Sequence, residues 1–173
     1  MTSSNPVLGT VLNQNDVQDI KSGPVAVSIT LGVGLVYEDG ANGWKQAPTD
    51  GSINADELYW NPKSLTSTAT LGGVTGTFYG EGARVIGQAD GAITVDQYCK
   101  ASTTSAHGGQ LIALADPANA SAGSAAEIDA VRDWQRDKIA IYKGHANEVN
   151  NVGVVATNAA DEDINCVFEI TRG

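Results

Sequence analysis

The sequence predicts a mainly β domain carrying one short helix, and three observations lead there. A module recurs without a gap, as Gly51-Ser-Ile53-Asn-Ala-Asp56-Glu-Leu58-Tyr59-Trp60 and Gly91-Ala-Ile93-Thr-Val-Asp96-Gln-Tyr98-Cys99-Lys100. Short runs rich in Val, Ile and aromatic residues are separated almost everywhere by Gly, Asn, Asp or Pro, and the chain holds 20 glycines, the punctuation of a loop-rich sheet protein. Only one segment has helical periodicity.

Taken in order, residues 1–23 are polar, with scattered Val and Leu before Gly23-Pro24. They are expected to form an extended N-terminal arm or a loosely attached first strand. Residues 24–173 are expected to form a single β-rich domain. Alternation in Val25-x-Val27-x-Ile29, continuing to Tyr37, precedes turn signals at Asp39-Gly40 and Asn42-Gly43, so a hairpin is the simplest account.

In the repeated module the glycine permits a positive backbone angle and the aspartate can bond its own backbone. The chain therefore turns and then enters a half-buried strand. A looser echo, Asp163-Ile-Asn-Cys166, shares Asp-x-x-Cys with Asp96 to Cys99. Further strands are expected at 57–60, 74–79, 84–89, 93–101, 110–115, 138–143, 152–156 and 164–171. Between them, an insertion at about 116–137 pairs an Ala-, Asn- and Ser-rich loop with a helix over 125–137. The capping box Ser124-Ala-Ala-Glu127 opens that helix, and Ile128, Val131 and Trp134 fall on one face.

At 173 residues the chain can bury one proper core. Twenty acids against ten Lys and Arg give a net charge of −10, which disfavours sequence-independent nucleic-acid binding, since that needs clustered cations. The start, Met1-Thr-Ser-Ser-Asn-Pro6, has neither a basic nor an apolar targeting segment, and no run approaches the roughly 18 apolar residues of a spanning helix. A soluble chain made in the cytosol, with no membrane partner, is expected.

Catalytic signatures fail on their own geometry. No Gly-Lys pair exists for a phosphate loop, Gly32-Val-Gly34-Leu-Val-Tyr37 lacks the third glycine of a dinucleotide fingerprint, and no Gly-x-Ser-x-Gly elbow occurs. His107 and His145 lie in turn-like contexts. Cys99 and Cys166 lie in strand-like text and read as buried reduced thiols, with a late-formed bridge or metal ligation left as alternatives. Cys99, His107, His145 and Cys166 could form a zinc set but lack its short paired spacings. Asp161-Glu-Asp163-Ile-Asn165 opens like a calcium loop, then places Cys166 where glycine is needed and Arg172 where a bidentate Glu is needed. Asn119-Ala-Ser121 matches a glycosylation triplet and reads as chance. Aromatics at Trp44, Tyr59-Trp60, Phe78-Tyr79 and Trp134 read as core anchors rather than a ligand face. No enzyme activity, catalytic residue, cofactor or metal is expected.

Ala83-Arg-Val-Ile-Gly87-Gln-Ala, the module from Gly91 to Ala101, Gly109-Gln-Leu-Ile-Ala113 and the closing Val152-Gly-Val-Val-Ala156 through Ile164-Asn-Cys-Val-Phe-Glu-Ile170 together resemble head decoration (cement) proteins of tailed viruses. The likeness covers about residues 25–115 and 138–172. It implies a compact β-barrel-like (β-tulip-like) domain, sitting as a homotrimer on the outside of a shell of major capsid protein. The N-terminal arm would pair with that shell, and the protein would brace it against genome pressure. The acidic balance suits such a virus surface, a halophilic host or ordinary solubility tuning. A virion or extracellular β module that binds a receptor or carbohydrate, of tail or fibre type, is the alternative.

Overall fold

The structure, a computed structural model, describes residues 8–26, 34–62, 75–117, 124–146 and 154–172. Its strands are β1 (Ile20–Pro24), β2 (Gly34–Glu38), β3 (Trp44–Gln46), β4 (Leu58–Asn61), β5 (Thr75–Tyr79), β6 (Arg84–Gly87), β7 (Tyr98–Ala101), β8 (Leu111–Ala113), β9 (Ala140–Ala146), β10 (Val154–Val155) and β11 (Cys166–Ile170); the helix α1 spans Ala125–Asp137. The chain is mainly β with a single helix, as expected. The strands form two antiparallel sheets, ordered β1-β5-β4-β2-β3 and β6-β11-β9-β7-β8 with β10 added to β9. Among the described residues they do not close into a barrel.

One apolar core lies between the sheets. Leu35, Leu58 and Trp60 from the first sheet meet Val85, Cys99, Leu111, Tyr142 and Phe168 from the second. Trp60 reaches across to Gly87, where a Cβ would come within 2.8 Å of the indole. A second cluster, Val25, Val36, Trp44, Tyr59 and Phe78, covers the other face of the first sheet. There Trp44 stacks on Phe78 at 4.2 Å and meets Tyr59 edge-on at 5.3 Å.

The repeated module is one turn built twice. Glu57 N–H donates to Asn54 O and Gln97 N–H donates to Thr94 O, each at 3.0 Å. In return, the Glu57 carboxylate accepts from Asn54 N–H at 3.3 Å and the Gln97 amide oxygen accepts from Thr94 N–H at 3.0 Å. Gly51 and Gly91 both hold positive φ, and Ile53 and Ile93 both contribute to the central core. One copy launches β4 into the first sheet and the other launches β7 into the second. The aspartates differ: Asp56 lies in a 3-10 turn, whereas Asp96 takes φ 64°.

Of the two readings of the N-terminal stretch, residues 8–24 follow the attached first strand rather than the extended arm. Gly9 N–H donates to Ile86 O and Leu12 N–H to Arg84 O, both at 2.7 Å, and Ile86 N–H returns a bond to Thr10 O at 2.9 Å. Val11 and Val17 enter the central core, and Ile20–Pro24 pairs with Thr75–Tyr79. Residues 8–24 therefore run as a seam from an edge of one sheet to an edge of the other. The physical reason is that the edges of β6 and β5 carry backbone groups that must be paired, and the scattered valines fill core positions between them. The part of the expected arm before residue 8 lies outside the described residues.

The hairpin assigned to Val25 through Tyr37 falls partly on 27–33, outside the described residues. The described hairpin joins β2 to β3 around Gly40–Asn42, where the turn signals lie. Strand 93–101 is shorter than expected, because Ile93 makes only an isolated bridge to Ala159 before the turn. The helix has its Ser124/Glu127 capping box, but it sits on the surface with no buried residue. Its Trp134 meets Tyr98 edge-on at 5.2 Å with Lys138 over both rings. The loop before it, including Asn119, lies largely outside the described residues.

Candidate functional site

Both histidines of the chain are held by aspartates, His107 by Asp90 and His145 by Asp163. The first pair begins with a bulge. β9 pairs with β11 through His145↔Cys166, Val167↔Gly144 and Phe168↔Tyr142, with a register shift between Val167 and Phe168. Gly144 takes φ 121°, and a Cβ there would collide with the Val155 carbonyl oxygen of β10, so only glycine fits this position. Tyr142 on one side of the irregularity faces the central core, while Ala146 beyond it packs with Ile86 and Val167 on the outer face. His145 is thereby placed beside Cys166.

From the other direction, Glu162 adopts φ 62°, a turn that returns the chain so that Asp163 faces His145. The Asp163 carboxylate lies 3.1 Å from His145 Nε2 and accepts from Ala160 N–H at 2.7 Å. Its backbone oxygen accepts from the Cys166 thiol at 3.4 Å and from Ala89 N–H at 2.9 Å. His145, Asp163 and Cys166 thus bring ligand atoms of three kinds within 4.8 Å of one another. Cys166 is buried, and burial pushes its thiol up to about 12. Cys99 is raised to about 12 for the same reason. Neither thiol is an activated nucleophile, and both are free.

The second pair centres on Asp90, buried beneath the turn between β7 and β8. Ser102 Oγ donates to one carboxylate oxygen, and His107 Nδ1 lies 2.8 Å from the other. Thr104 N–H donates to Ser102 Oγ at 3.0 Å. Burial is the largest influence on Asp90 and raises its pKa, but the hydrogen bonds from Ser102, Thr104 and His107 outweigh it and leave the carboxyl below its ordinary value. The hydrogen bond to Asp90 raises His107 above its ordinary value, with Asp161 and Glu162 adding to the effect. A serine, a histidine and an aspartate meet here, but the carboxylate stands between the other two. The hydroxyl spends its proton on Asp90 instead of on an imidazole base, so the arrangement locks a turn and does not activate a nucleophile.

The four residues weighed as a zinc set separate in the fold. His107 goes to Asp90, His145 and Cys166 come together, and Cys99 donates to Gln97 O at 3.6 Å within β7's own turn. The calcium-like carboxylates are directed at the protein: Asp161 accepts from Gly91 N–H at 2.8 Å and Asp163 serves His145 and Ala160. The partnership of His145 with Asp163 has no signature in the sequence, because a bulge and a left-handed turn create it; the Asp90 cluster joins residues 12 and 17 positions away without a motif.

Of the aromatic residues weighed as a ligand face, Tyr79 is half-buried against the central core and Trp134 is half-buried on the surface helix. Trp44, Tyr59, Trp60 and Phe78 are buried in the two clusters. An open depression of about 490 Å³ lies between the end of α1 and the first copy of the repeated turn, lined by Asn54, Asp56, Gln135, Arg136 and Arg172. Its cations are engaged: Arg136 pairs with Asp133 and Asp137, and Arg172 pairs with Asp19.

Among the described residues, no helix is long and apolar enough to cross a membrane. Comparison with protein-family models, curated proteins and solved structures gives no match.

Proposed function

We propose that this chain is a structural, non-enzymatic virion protein that binds the outside of a capsid shell as a trimer and braces it. The observation that carries the reading is the edge strand β10. Val154 and Val155 are both exposed, and among the described residues their strand pairs on one side only, with His145 and Ala146 of β9. An unpaired edge with apolar side chains is normally a liability in a folded protein, and it is what a chain that works by strand addition offers to a partner. Ile164 is exposed as well.

Two further features support a passive role. The ionisable groups that converge are used in internal bonds, and the net charge of −10 keeps such a surface away from packaged DNA. The resemblance that suggests this function gives the shell contact to an N-terminal arm. Since residues 8–24 are committed within the fold, the contact is assigned here to β10. Trimerisation would then set three such edges against the shell together, so that modest single interfaces add up.

The test is co-sedimentation with shells assembled without this protein. Stoichiometric, saturable binding that V154K and V155K abolish, with the fold intact by circular dichroism, supports the reading. Absence of binding, or binding indifferent to both substitutions, overturns it.

A further inference from the structure

The geometry points to a site for a zinc-class divalent cation held by His145 Nε2, a carboxylate oxygen of Asp163 and Cys166 Sγ, with the fourth position open to solvent. This is independent of the shell-binding function.

The donor set is the first argument. An imidazole, a carboxylate and a thiolate together suit zinc, whereas hard cations such as calcium and magnesium take oxygen only. The calcium reading of the same loop fails for that reason: Cys166 stands where a glycine belongs, but as a sulfur ligand it fits zinc.

Spacing is the second. The three ligand atoms lie within 4.8 Å of one another, and tetrahedral zinc with bonds of about 2.0 to 2.3 Å sets its ligand atoms roughly 3.3 to 3.8 Å apart. The widest separation has to close by about 1 Å, with the ion entering between His145 and Asp163, now 3.1 Å apart.

The third argument is support and access. Each ligand is placed by rigid backbone: the Gly144 bulge for His145, the Glu162 turn for Asp163 and the first residue of β11 for Cys166. Ala160 N–H already holds the Asp163 carboxylate, the outer bond that orients a ligating group. Cys166 is closed off within the core, while the His145 and Asp163 side chains are 27 % and 35 % exposed, so an ion can reach the site from one side. On binding, the cation displaces the thiol proton to solvent and the sulfur remains as thiolate.

Cobalt is the probe. Titrating Co²⁺ into the full-length, metal-stripped protein is expected to produce thiolate-to-cobalt charge-transfer absorption in the near ultraviolet, lost when Zn²⁺ is added. C166S should abolish the band, H145A and D163N should each weaken binding at least about tenfold, and C99A should leave it unchanged. X-ray absorption at the zinc edge of the wild-type protein should count one sulfur ligand, a readout that needs no variant to fold. No charge-transfer band, a band that survives C166S, or a sulfur count of zero or two would overturn the site.

Discussion

Arg172 reaches back across nearly the whole chain to Asp19, its Nη1 donating to Asp19 Oδ2 at 2.6 Å. The same guanidinium donates to Tyr59 Oη at 3.2 Å and Leu58 O at 2.6 Å, and stacks 4.1 Å above the Tyr59 ring. Asp19 in turn accepts from Tyr59 Oη at 3.0 Å and from Glu81 N–H at 2.9 Å. One pair therefore ties the N-terminal seam, the first repeated turn and the end of the last strand together. The pair is partly buried, so removing one partner leaves the other's hydrogen-bonding groups unmet. R172M is expected to lower stability by about 2 to 3 kcal/mol, read from the urea midpoint; a change under about 0.5 kcal/mol would contradict it.

Truncation asks the same question of the whole seam. Deleting residues 1–22 removes Val11 and Val17 from the core and uncovers the edges of β5 and β6. The two valines alone account for about 3 kcal/mol or more, so the truncated protein is expected to melt far lower or to lose cooperative unfolding. A melting curve like that of the full chain would restore the reading of a free arm.

How much of this was legible in the sequence follows from where each element's determinants lie. The helix starts at Ala125 because Ser124 and Glu127 cap it, and those residues announce themselves locally. The twin turns were legible for the same reason, since Gly51 and Gly91 sit at matching places in a ten-residue text. Ile20–Pro24 was legible only as one of two alternatives, an arm or a loosely attached strand: as an edge strand it has an almost wholly exposed pattern, so no alternation marks it. The pairing of His145 with Asp163 depends on a bulge whose only trace in the sequence is one glycine among 20.

That glycine separates two kinds of positive φ. G144A would force a Cβ onto the Val155 carbonyl as well as straining the backbone, and is expected to cost about 3 kcal/mol and to loosen β10. Gly82 also has positive φ, 85°, but with open space around it, so G82A is expected to cost only about 1 kcal/mol. Thermal melts of the two variants compare them; equal losses would mean that the collision is relieved and the bulge is not fixed.

The His107–Asp90 pair makes a pH signature with a definite sign. His107 is raised in the fold, so its contribution is full below its ordinary value of 6.5 and is lost as pH rises through the higher folded value. Asp90 is depressed, so its contribution is present above the ordinary 3.8 and is lost as pH falls through the lower folded value. The pair therefore stabilises most between about pH 4 and 6.5. H107N is expected to flatten the decline in stability above that window, measured by urea unfolding at about pH 6 and pH 8. An unchanged pH slope in the variant would place the titration elsewhere.

Buried thiols raised to about 12 predict slow chemistry. Alkylation by iodoacetamide near pH 8 is expected to proceed at the rate of global unfolding, far below that of a free cysteine. Rapid labelling of either Cys99 or Cys166 in the folded protein, followed by mass spectrometry, would contradict their placement.

The proposed function is tested most directly by heating genome-filled particles that lack this protein, with and without added protein, and recording the temperature at which DNA escapes. A brace acting through shared contact area predicts that the release temperature rises with occupancy and levels off when the lattice is full. Particles that bind the protein to saturation yet release their genome at the unchanged temperature would contradict that role.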